Sequence, residues 1–239
     1  MKSKRNRKSK FFLILGIIGL FAVLAGFLKP FILPVTNGNF KAPLIIYVHG
    51  LFAAIWVILF VIQSTLIQTN KLKVHKELGY LGLAIALGAA ITIIPVSLYQ
   101  VKRELDLGLD QTAVSGIVGA VTTAIMFLSL VAAAVILRFK APAHKRLMAL
   151  ATIVLLWPAW FRFRHLFPSV PNPEIWFAVV LADSFIILAI FWDLIINKKV
   201  HWVFLYVGPV IILEHTVEVI LFDSKPWRQI ANFLYSLFN

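Results

Sequence analysis

The side chains able to do chemistry in this chain are few, and they recur at matched positions. His75-Lys76-x-Leu78-x-x-Leu81 and His144-Lys145-x-Leu147-x-x-Leu150 repeat one pattern, and each opens an apolar run. With two runs between the copies, both histidines enter the nonpolar layer from the same side at equal depth. His201 begins a later run at that level, Asp193 lies about one turn inside the end of the run before it, and Gln63 lies near the end of an earlier one. A second level is expected toward the other side, centred on His49 and His215, with Asp183, Glu214, Glu218, Arg162 and His165 as companions. Glu218 follows His215 by three residues, a spacing that lets it orient the ring. Ionisable groups are costly inside a bilayer and face the bundle interior, so function is sought among them. Two facing imidazoles at matched depth suit axial ligation of haem b, which predicts His75 with His144 as one pair and His49 with His215 as another. The same residue types also serve a divalent metal or a proton relay, and histidines beside lysines at a membrane boundary also meet lipid phosphates.

The elements that must position these residues are read from hydropathy. Of 239 residues, 61% are hydrophobic and 14% charged, with a mean hydropathy of +0.91, far from the balance of a soluble domain. Apolar runs at 11–28, 43–67, 74–99, 113–138, 145–163, 175–196 and 201–222 are each long enough to cross a hydrocarbon core. The expected fold is all-α: a polytopic bundle of seven transmembrane helices followed by a C-terminal amphipathic helix. Three regions result, namely a basic N-terminus at 1–10, a bundle at 11–222 and an interfacial tail at 223–239. The first run reads as an anchor, because Ala22 and Ala25 make a poor cleavage site. The fifth run is the least regular, interrupted by Pro158 and the Arg162-Phe163-Arg164-His165 stretch. On the third, Gly79, Gly82, Ala86 and Ala90 share one side and let a helix or a flat cofactor approach. Along the second, His49, Trp56 and Gln63 fall at i, i+7 and i+14, one polar face.

Charge gives the orientation. Placing the N-terminus in the cytoplasm puts fifteen of the 23 Lys and Arg inside, and every inside segment carries at least as many as each outside one. The expected location is the bacterial cytoplasmic membrane, with the C-terminus outside and the lipid bilayer as the first partner. A homo-oligomer or a membrane partner is left open. The formal charge of +13 is spread over short clusters between apolar runs, which argues against nucleic acid. Arg162 and Arg164 read as interface anchors, and Trp157, Trp160, Trp176 and Trp227 as an aromatic belt. Cysteine is absent, which removes disulfides, thiolate metal sites and covalent haem attachment. No nucleophile–base pattern, phosphate loop or zinc-protease spacing is present, which argues against a soluble-type hydrolase.

The set His49-Gly50, Trp56, Gln63, His75-Lys76-x-Leu78-Gly79, His144-Lys145-Arg146-Leu147-Met148 and Arg162 resembles a widespread group of uncharacterised bacterial multi-pass membrane proteins. The segment from Asp193 to His201 is similar to their C-terminal pattern, so the likeness covers roughly 45–205. In more distant outline the chain resembles the diheme b-type cytochromes, which implies haem ligands on alternating helices of a four-helix core. Here the fourth run has no histidine, so the outer level must recruit His215 or His165. The first expectation is therefore a haem-binding electron-transfer protein. The alternatives are a proton-coupled small-solute transporter using His49, Asp183, Glu214 and His215, and a non-catalytic assembly protein docking through its tail.

Overall fold

The structure, a computed structural model, describes residues 2–238, with residues 2–9 described by their backbone alone. The basic stretch at 1–10 therefore lies, for all side chains but Lys10, outside the described residues. Helix α1 runs over Lys2–Phe27 and continues through a widened turn, Leu28–Ile32, into Leu33–Thr36. Then follow α2 (Leu44–Gln68), α3 (Leu72–Asp106), α4 (Asp110–Ile136) and α5 (Ala141–Phe161), which tightens into a 3-10 turn at Arg162–His165. Helix α6 comprises a π-helical stretch, Glu174–Leu181, and a regular one, Ala182–Asn197. Helix α7 is built the same way from Val203–Val207 and Gly208–Leu221, and α8 is Lys225–Phe238. Seven of the helices are long and apolar enough to cross a membrane, as the hydropathy reading expected. No strand occurs among the described residues.

Short connections force antiparallel neighbours. The α2–α3 link turns at Asn70, which takes φ 61°, and the α3–α4 link turns at Gly108, with φ 83°. A side chain on that backbone would meet its own carbonyl, so glycine ends α3 there. Helices α2, α3, α4 and α5 pack in sequence, and α2 touches α5 to close a four-helix group. Helix α1 lies against α2 and α5, where Gly26 meets the backbone carbonyl of Ala159 directly. Helix α5 is the hub, with 67% of its most apolar window buried against 17% for α2, and α6 and α7 pack on its other side. Its run Ala149–Val154 is buried on every face. Around this core, Leu51, Ile58, Leu87, Ile91, Ile125, Phe191, Ile195 and Leu213 point outward, a surface compatible with contact to a lipid bilayer.

Helix α3 has 35 residues, well beyond the ~20 that span a bilayer. Its projecting turns and the start of α4 receive α8. Trp227 and Ala231 are buried against Val101, Val114, Ile117 and Val118, and the Trp227 indole donates to the Ser115 carbonyl at 3.0 Å. Before it, Asp223 accepts from Ser115 at 2.7 Å, Thr112 at 3.0 Å and Arg228. These donors hold the Asp223 carboxyl well below the usual carboxylate range. The tail thus docks on the bundle with one flank of its apolar arc, and the other flank, Ile230, Phe233 and Leu237, stays exposed. The expected aromatic belt is mostly absent. Trp176 is exposed, whereas Trp160 stacks on Phe185 at 4.9 Å, Trp227 is buried and Trp157 turns toward His215.

Candidate functional site

The end of the bundle where α1 begins is the N-side, and the end carrying α8 is the C-side. On the N-side, His75 from the first turn of α3 and His144 from the first turn of α5 meet across a diagonal of the four-helix group. Their ring centroids are 6.4 Å apart and their planes stand at 86°. The His144 Nδ1 lies 2.8 Å from the Ala134 carbonyl oxygen, which can only accept, so that nitrogen carries the proton and Nε2 is left as the open lone pair. The Nδ1 of His75 is buried without a hydrogen-bond partner. Gln63 donates to the His75 backbone carbonyl at 3.1 Å, and its own amide oxygen is likewise buried and unpartnered. Toward mid-membrane, Trp56 meets Phe127 edge to face across the other diagonal and donates to Thr152 at 3.2 Å. Trp56 lies seven residues, about 10 Å, above Gln63 and roofs the N-side group. On the small-residue side of α3, Gly82 meets Leu59 of α2, while Gly79 has open space beside it.

Asp193 and His201, expected beside these histidines, belong to a neighbouring network. Asp193 receives Arg146 through Nε at 2.8 Å and through Nη2, Asn197 at 2.8 Å, and the His201 backbone N–H at 3.0 Å. Arg146 also donates to the Pro142 carbonyl at 2.7 Å and lies over the Phe204 ring. The His201 Nδ1 accepts from the Val203 N–H at 3.2 Å, capping α7. Burial and the Arg146 charge hold the His201 imidazole below its ordinary range, against the opposing pull of Asp193. Each nitrogen and oxygen of the central pair has a partner, and each Asp193 oxygen accepts from two donors. Such a network joins α5, α6 and α7.

On the C-side the expected pair does not form. His49 Nδ1 lies 2.9 Å from the Thr92 hydroxyl, whose proton goes to the Gly88 carbonyl at 2.6 Å, so His49 donates and is tied to α3. His215 instead sits between α6 and α5, its Nδ1 2.7 Å from Asp183 Oδ1 and its ring 5.8 Å from that of Trp157. The α2 face that predicts His49, Trp56 and Gln63 as a column is real, but helix packing hands its upper member to α3. Glu214 Oε2 lies 3.9 Å from His215 Nε2, and Glu218 comes one turn later, against Gly119 of α4. Arg162 donates to the Pro158 carbonyl at 2.8 Å and lies over Phe27, away from His215, and Arg164 covers Phe161. His165 is exposed, its carbonyl bound by Lys29. Among the described residues, no group of three or more His, Cys, Asp or Glu side chains converges to hold a metal ion.

No protein-family model, curated protein or solved structure matches this chain. Sequence reasoning missed Arg146 and Asn197. The signal for Arg146 was present: it lies as deep from the start of α5 as Asp193 does from the end of α6, with opposite charge.

Proposed function

We propose that this multi-pass membrane protein holds one b-type haem on its N-side, with His75 and His144 as axial ligands, and carries single electrons there. The observation that carries the reading is the ring pair itself. Two imidazoles straddling an iron at bond lengths near 2 Å put their centroids about 6 Å apart, against the 6.4 Å found. The donor set fits the group. The Ala134 carbonyl fixes the tautomer of His144 and leaves its Nε2 with the lone pair, and the Nδ1 of His75 is buried without a partner. His75 and His144 come from α3 and α5, which face each other across the group without extensive direct packing.

Haem bound there supplies a one-electron couple. The chain's own residues do the rest. Gln63 holds the turn that carries His75, while Trp56 and Phe127, locked by Thr152, exclude water from the mid-membrane side. A second haem between His49 and His215 is not part of this reading, because Thr92 and Asp183 hold those rings on different helices. Electron transfer through two stacked haems is accordingly set aside. Protein purified from haem-supplied cells is expected to be coloured, with b-type bands that sharpen on reduction with dithionite. His75→Ala and His144→Ala should each lose them, while His49→Ala keeps them. A colourless wild-type preparation overturns the reading.

A further inference from the structure

We propose that Asp183, His215 and Glu214 form a proton-binding relay that opens on the C-side through Glu218. Asp183 and His215 are each 2% exposed and share a hydrogen bond of 2.7 Å between α6 and α7. Around that bond three polar atoms are buried without a partner: the second oxygen of Asp183, Oε2 of Glu214 and the indole nitrogen of Trp157. A bilayer interior penalises such atoms, so a site that keeps two open carboxylate oxygens together is built to fill them at some stage. Protons fit those two oxygens, which accept no hydrogen bond, while the Trp157 indole N–H is a donor. No third ligand converges for a metal ion among the described residues. The ionisable groups that face the site are Asp183 from α6 and Glu214 and Glu218 from α7, while α5 contributes Trp157 and α4 contributes Gly119. The π-helical stretch Glu174–Leu181 ends two residues before Asp183, a placement common where a helix is re-aimed for function.

The transfer balances without any redox partner. Glu218 receives a proton from the C-side and passes it to the Glu214 carboxylate one turn deeper. Rotation of the Glu214 side chain, which is 28% exposed, closes the 3.9 Å gap to His215 Nε2. As Nε2 gains that proton, Nδ1 releases its own to Asp183 Oδ1, leaving a neutral imidazole and a neutral Asp183. The relay does not depend on haem at His75 and His144, and its failure would leave that reading untouched.

The test is acid-induced infrared difference spectroscopy of the full chain in phosphatidylcholine vesicles, combined with proton uptake measured in weakly buffered solution. Wild type should show a protonated-carboxyl stretch that shifts in heavy water. Asp183→Asn and Glu214→Gln should each remove part of that band and lower uptake by about one proton. Glu214 is partly exposed, so its variant carries the test if Asp183→Asn fails to fold. Identical bands and uptake in a folded Glu214→Gln protein overturn the proposal. So does a stoichiometric metal ion whose chelation abolishes the band.

Discussion

Two buried polar pairs lie at opposite ends of α6, and they are finished to different degrees. On the N-side each nitrogen and oxygen of Arg146 and Asp193 has a partner, down to the His201 backbone N–H just before α7. His215 and Asp183 on the C-side are as deeply buried, yet the pair leaves one Asp183 oxygen open and sits beside two more unpartnered atoms. A saturated network inside a membrane fixes the arrangement of helices; an unsaturated one keeps capacity for a ligand. Burial alone does not separate the two, and the hydrogen-bond accounting does.

The largest effect should come from breaking the saturated pair. Arg146→Ala leaves Asp193 charged and buried, and should cost about 3–5 kcal/mol, read as thermal unfolding in lipid nanodiscs. The double change Arg146→Met with Asp193→Leu should recover most of that loss, since removing both charges removes the desolvation penalty too. At the other end, Asp183→Ala strips only the His215 Nδ1 of its partner and should cost about 1–3 kcal/mol by the same measurement. Equal losses at the two ends would erase the distinction. Smaller again, Trp56→Phe keeps the contact with Phe127 and loses one hydrogen bond to Thr152, about 1 kcal/mol.

The smallest effect is one of pH. His201 is held below its ordinary range, so the unfolded chain binds more protons than the folded one as pH falls below about 6.5. Stability should therefore drop on acidification through that window, and His201→Asn should flatten the slope, as seen in melting curves at successive pH values. A slope unchanged in the variant would remove His201 from the network's account.

The spans were legible because the hydrocarbon core imposes one length and one composition on every crossing, and exposed residues such as Leu51 or Ile91 suit that core. The N-side histidines were legible through their repeat, which fixed equal depth. Rotation about the helix axis was not, and it decided the C-side: His49 and His215 lie at matched depth, but α2 presents His49 to Thr92 while α7 presents His215 to Asp183. Trp227 misled for a related reason. Its amphipathic helix suited an interface, and only the length of α3 beyond the bilayer reveals that a protein surface waits there to receive it.

The pairing of His75 with His144 is tested most directly by electron paramagnetic resonance of the oxidised, haem-loaded protein. Rings standing at 86° to each other predict low-spin ferric iron with the strongly anisotropic signal of perpendicular imidazole planes. High-spin iron, or a low-spin signal that survives in either His75→Ala or His144→Ala, would contradict the account.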